Sequence, residues 1–224
     1  MNYFLRKSYL LFLVLGCFLY ADKIAVATKV KGIAEIMKVG KKDFTSLKAG
    51  VILDDGDKIR TGNSGFVAII FIDDKSTLKL KENSEAVITG QRSAASISKK
   101  INMDIGTVRA TITKQNTDFV IQTPTSVASV KGTDFWLVTD PEDGDQIMGI
   151  EGIVGLTNIE TGQEIDVSEG MSGISTPDGN LGLEETDQSS IPDDPDEDIE
   201  GPSQIKIYLE GPNGEQRVMI IEYQ

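Results

Sequence analysis

From Lys23 to Ser175 no apolar run lasts long. Segments rich in Val, Ile, Leu and Phe stop at Gly, Pro, Asn or Asp about every ten residues. Beyond the amino terminus, no window repeats apolar residues at helical spacing. A chain punctuated in this way is limited to short strands, so the expectation is an all-β sandwich, barrel or solenoid. Strands are expected at 24–30, 33–37, 66–72, 77–80, 86–89, 101–105, 108–113, 118–122, 147–150, 153–157, 164–167 and 171–175. The run 66–72 is apolar on both faces, which places it between two layers. Residues 91–100 are small and polar and read as a loop or a weak edge. No fixed period repeats, so the letters do not support a regular sequence-repeat solenoid.

The densest signal is QTPTSVASVKGTDFWLV, residues 122–138, read as two short strands around a tight break. Thr123-Pro124 ends whatever precedes it, because proline has no N–H for a sheet ladder. Lys131-Gly132-Thr133 supplies the turn, with Gly132 free to take a positive φ. Phe135 opens the apolar strand that follows and holds Trp136, the one tryptophan of the chain.

TPTSVASVKGTDFWL resembles the T-P…V-R-G-T-x-F signature of the FecR-domain family, with Lys131 in place of arginine. GDKIRTGNSGFVAIIF, which holds Gly56, Asp57, Arg60 and Thr61, is similar to a second segment of that family. MDIGTVRATI (103–112) resembles a third, and GIEGIVGLTN, with Glu151 and Gly152, a fourth. The resemblance runs from about residue 27 to 175. It implies a compact, twisted, solenoid- or sandwich-like all-β FecR domain in which these motif residues are structural. It also implies a non-enzymatic envelope interaction or scaffold module, the alternative being a periplasmic sensory component of cell-surface signalling. In the family's signalling proteins a cytoplasmic segment controls a sigma factor, and here about seven residues precede the apolar run. Only the periplasmic half of that role is therefore expected. The sequence departs from the family at 71–76, where a tight D-G-S hairpin is replaced by a turn one residue longer without glycine.

Four segments are expected: a signal peptide at 1–21, the FecR-like domain at 22–177, an acidic disordered linker at 178–203 and a β-hairpin at 204–224. Arg6 and Lys7 precede an apolar run too short to span a bilayer comfortably. Cleavage between Ala21 and Asp22 is the preferred reading, and the alternative is a lipobox ending in a diacylated Cys17, the one route to membrane attachment. Either way the protein is expected outside the cytoplasm, in the periplasm or outer envelope of a bacterium. Between 178 and 200 ten residues are acidic and none is basic, a composition that favours disorder. In the tail, Ile205, Ile207 and Leu209 alternate with polar residues before Pro212-Asn213-Gly214. A lone hairpin is marginal in water, so it is expected to dock by strand addition on an edge of its own domain or of an envelope partner, self-association included.

The letters exclude much chemistry. There is no histidine, which removes the commonest general base and metal ligand. Once cleaved after Ala21 the chain has no cysteine for a disulfide. Asp54, Asp55, Asp57, Asp73 and Asp74 could be read as calcium ligands or as a glycosidase carboxylate pair. The preferred reading is that they start turns. Ser84, Ser93, Ser96 and Ser98 lie near Lys99 and Lys100, but the run is polar and offers no means of lowering a lysine pKa. Arg60 or Lys131 is expected to pair with a buried carboxylate such as Asp57 or Glu151. The net charge of −13 and the lack of a basic stripe argue against nucleic acid. No catalytic residue, metal or cofactor is expected.

Overall fold

The computed structural model describes residues 22–93, 96–114, 118–195, 203–210 and 216–223. Turns at the ends of the apolar runs send the chain back and forth between two β layers. Strand β1 (Lys23–Lys31) lies in the first layer, β2 (Ala34–Met37) and β3 (Thr45–Ser46) in the second, and β4 (Ile52–Asp54) in the first. Strand β5 (Asp57–Thr61) returns to the second layer, and β6 (Phe66–Phe71) and β7 (Thr77–Leu80) to the first. Strand β8 (Glu85–Arg92) is in the second layer, and β9 (Ile97–Thr111) belongs to both. Then β10 (Phe119–Gln122) and β11 (Ser126–Val130) extend the second layer, and β12 (Asp134–Asp140) and β13 (Gly144–Glu151) the first. Strands β14 (Ile153–Asn158) and β15 (Glu164–Ser168) close the second layer, and β16 (Met171–Ser175) and β17 (Leu181–Glu185) the first. A separate hairpin, β18 (Ser203–Glu210) and β19 (Gln216–Tyr223), follows.

The first layer therefore runs β4-β1-β6-β7-β9-β12-β13-β16-β17. The second runs β3-β2-β5-β8-β9-β10-β11-β14-β15. The β9–β10 pair is parallel; the other pairs just named are antiparallel. Alternation decides which side chains fill the space between layers. Val67, Ile69 and Phe71 of β6, Leu78 and Leu80 of β7, and Phe135 and Leu137 of β12 face Ile59, Ile88, Ile101, Ile121, Val154 and Leu156 in one continuous core. Phe71 and Phe119 meet edge to face, centroids 5.6 Å apart at 89°.

The expected all-β sandwich with solenoid-like winding is what the chain builds. All six residues of β6 are buried, as its two-faced apolar run requires. One face lies on the core; on the other, Ile70 and Val26 pack against Ile207 and Ile221 of the hairpin, with Ile52, Ile72 and Met219 around them.

Four expectations change. Residues 91–92 and 97–100 are strand rather than loop: Arg92 pairs with Ile97 and Gln91 with Ser98, and the separate strands at 101–105 and 108–113 are one strand, β9. The polar letters misled because Ser98 and Lys100 face outward, while the buried position between Ile97 and Ile101 is a lysine, Lys99. Residues 181–185 of the supposed linker form β17, paired with β16. An edge strand uses its backbone on one side and leaves its side chains in water, so acidic residues do not forbid it. Of the rest of that segment, 186–195 are described and 196–202 lie outside the described residues. The hairpin forms, but it docks through an apolar face rather than by joining a sheet edge. The signal segment 1–21, with Cys17 and Ala21, lies outside the described residues; Asp22 is the first of them.

Candidate interaction site

The family-motif residues sit at or beside corners of the chain, several of them where it steps between layers. Gly56 turns β4 into β5, and Asp57 beside it is fully buried. The Asp57 carboxylate accepts from the backbone N–H of Val39 (3.0 Å) and Asp54 (2.8 Å) and from Lys38 Nζ (2.6 Å). Burial works against the Lys38 charge, yet hydrogen bonds and attraction from Asp54 and Asp57 outweigh it and hold its pKa above the ordinary 10.5. Thr61 donates to the Lys81 carbonyl (2.5 Å) and accepts from the Ser84 N–H (2.9 Å), tying the next corner to β8. Thr123 Oγ1 accepts from the N–H groups of Thr125 and Ser126 and donates to the buried Asp145 carboxylate (2.5 Å), which Ser126 Oγ also reaches. The exposed Pro124 lies inside that turn. The T-P motif is thus a hydroxyl-built corner.

Gly132 has φ +75°, as expected, at the step from β11 to β12, and Gly152 has φ +80° at the step back from β13 to β14. The corners touch: a Cβ on Gly152 would lie 2.8 Å from the Gly132 carbonyl oxygen. Thr133 is buried and locked to Ile112 by two backbone hydrogen bonds, and Phe135 is in the core. Gly132→Val is expected to cost about 1–3 kcal/mol in urea melts, because valine at this φ is strained.

The expected buried pairing of Arg60 or Lys131 does not occur. Arg60 pairs with Glu35 at 2.7 Å and stacks on Phe44 at 3.8 Å, half-exposed. Asp57 takes Lys38 instead. Lys131 and Glu151 are both exposed, and no ion pair joins them among the described residues. The other aspartates behave as turn and ion-pair groups. Asp55 accepts from the Gly90 N–H, and Asp73 and Asp74 hold Lys99 at 2.9 and 2.7 Å. Among the described residues no cluster of three or more His, Cys, Asp or Glu could hold a metal ion.

The geometry that sequence reasoning missed lies on the outer face of the first layer. Register aligns Lys29, Ala68, Lys79, Arg109, Trp136, Met148 and Ser172 in one row across β1, β6, β7, β9, β12, β13 and β16. Arg109 forks onto Asp134 (3.1 and 3.0 Å), and both Arg109 and Lys81 lie 5.9 Å from the centre of the Trp136 ring. Residues 187–195 lie along this row, with contacts that run from Met148 of β13 to Lys31 of β1. Asp187 caps a short 3-10 turn by accepting from the Ser189 N–H, which holds its carboxyl below the usual range. Ser190 Oγ reaches Met148 Sδ at 4.0 Å. The Asp194 carboxylate, 1% exposed, takes Arg109 at 2.7 Å and Lys79 at 2.8 Å. Lys31 Nζ donates to the Pro195 carbonyl at 2.8 Å. Trp136 is left 2% exposed. Nothing in PDDPDED announces this, because the partners of Asp194 are 85 and 115 residues away in sequence.

Comparison with known proteins agrees with this architecture. Residues 57–155 match the family described as FecR protein. A crystal structure of a candidate anti-sigma factor from Parabacteroides distasonis ATCC 8503 superposes with a TM-score of 0.50 at 14% identity, over 58% of this chain and 60% of that one. A second structure so described from the same organism gives a TM-score of 0.48 at 16% identity, with the same coverage. The chain thus spans about three-fifths of the length of these structures. No curated protein matches it.

Proposed function

We propose that this chain, whose residues 57–155 match the FecR family, is a member of that family and a non-enzymatic interaction module in regulatory signalling at a bacterial envelope. Export by cleavage after Ala21 is part of the proposal. The observation that carries it is the outer face of the first layer. A row of cations around the one tryptophan is a recognition surface by composition, since Arg and Trp are the residues that dominate binding energy at interfaces. The description of the similar Parabacteroides distasonis protein as an anti-sigma factor suits a signalling role. The carboxylates that a hydrolase would need are engaged elsewhere: Asp54 and Asp57 with Lys38, Asp73 and Asp74 with Lys99.

Deleting the gene in its host and sequencing transcripts tests the reading. A discrete set of genes is expected to change and to return when the full chain is supplied in trans. An unchanged transcriptome would overturn the signalling role, and turnover of a polysaccharide by the purified protein would overturn the non-enzymatic one.

A further inference from the structure

We propose that the Lys79–Arg109–Trp136 row is a docking surface for an extended acidic segment of a partner protein, and that residues 186–195 occupy it in cis as a displaceable strap. This deepens the reading of the chain as an interaction module and rests on it. Charge complementarity identifies the occupant. Two cations converge on one carboxylate, Asp194, at 2.7 and 2.8 Å, so the surface already holds an aspartate flanked by Asp193 and Pro195. A partner strand bearing carboxylates at the same spacing would meet the same cations.

The strap underfills its seat. Between it and the sheet remains a cleft of about 460 Å³, lined by Arg109, Trp136, Ile150, Ile191 and Asp193 among others. A tight internal lid would leave no such space. The contacts that hold the strap's acidic end include exchangeable ones: the ion pairs to Arg109 and Lys79 and the Lys31–Pro195 bond. Ion pairs of this sort trade readily against an equivalent carboxylate arriving from outside, because the cations lose nothing in the exchange. Asp193, beside the anchor, is exposed. Occupation in cis therefore raises the threshold for a partner without abolishing the site: the surface is available only for the fraction of time that the strap is open.

The single tryptophan under the strap makes the idea measurable in the full chain. In the wild-type protein Trp136 emission is expected to be blue-shifted and poorly quenched by acrylamide. In Asp194→Ala it should shift to the red and become quenchable. The probe is a synthetic peptide with the sequence of residues 186–195. It should bind Asp194→Ala saturably, restoring blue emission, and bind the wild type at least about tenfold more weakly, as a strap closed nine-tenths of the time requires. The same peptide with asparagine at all three aspartates (187, 193 and 194) should not bind. Absence of binding to Asp194→Ala, or equal binding of acidic and neutral peptides, overturns the proposal. If Asp194→Ala does not fold, Asp194→Asn, which keeps the size of the side chain and removes the charge that Arg109 and Lys79 hold, takes its place. Trp136 should then become quenchable with the strand circular dichroism unchanged, and a tryptophan that stays shielded overturns the strap. Failure of these binding measurements leaves the signalling role to be decided by the transcripts alone.

Discussion

Gly106→Val is expected to destabilise the protein by about 2–6 kcal/mol, the largest effect of any single substitution considered. Gly106 sits inside β9, at the point where that strand leaves β8 and β10 in the second layer and begins to pair with β7 and β12 in the first. Its φ of +122° is in the region that L side chains rarely adopt, a strain of about 1–3 kcal/mol for valine. A Cβ there would also lie 2.4 Å from the Ser84 Cα and 2.3 Å from its Oγ. Ser84 cannot retreat, because its hydroxyl accepts from the Thr107 N–H at 3.0 Å and its own N–H is held by Thr61. Overpacking therefore adds about 1–3 kcal/mol. Urea titration followed by strand circular dichroism would measure the sum. A loss below about 1 kcal/mol would mean that β9 does not need this glycine to change layers.

Much of the fold was legible because turns are written locally. Lys131-Gly132-Thr133, Asp54-Asp55-Gly56-Asp57 and Thr123-Pro124 each announce a corner in neighbouring letters, and each is a corner. The two-faced run 66–72 announced a strand covered on both sides, although only the structure shows the second cover to be the hairpin. The Gly106 crossing was not legible. A glycine between two apolar runs reads as a break, and whether a strand stops there or bends through it depends on partners on both sides. Residues 91–100 failed for a related reason: a lysine in an inward position hides the period-2 alternation.

The outer-face site was less legible still. Lys79, Arg109 and Trp136 lie on three separate strands, and register alone brings them into a row. The acidic segment was read from its average composition, which describes a chain that cannot bury apolar area. Composition does not register that one carboxylate of ten can be buried where cations already wait. The motif aspartates show the same limit from the other side. The Asp57 carboxylate is paired with Lys38, not Arg60, and no spacing rule identifies that partner.

Lys99→Met is expected to cost about 3 kcal/mol. The Lys99 side chain is fully buried, its Nζ between Asp73 and Asp74 and 5.3 Å from the centre of the Phe71 ring. Removing one partner of a buried ion pair leaves the other charge uncompensated, a loss of about 3–5 kcal/mol when both are deeply buried. The carboxylates keep 12% and 11% exposure, so the low end applies. Asp73 and Asp74 cannot simply swing away. Asp73 also accepts from the Ile97 N–H at 2.9 Å, and Asp74 from the Ser76 N–H at 2.9 Å. The long turn at 71–76, where the FecR pattern has a shorter one, has its physical reason here: Lys75 at φ +62° lets two successive aspartates face one lysine. Replacing both aspartates by asparagine in the Lys99→Met background should therefore recover stability, because no unpaired charge remains. Thermal melts of the single, double and triple variants would show it as non-additivity. If the triple variant melts below Lys99→Met, the aspartates serve the turn through their hydrogen bonds and the buried lysine is incidental to it.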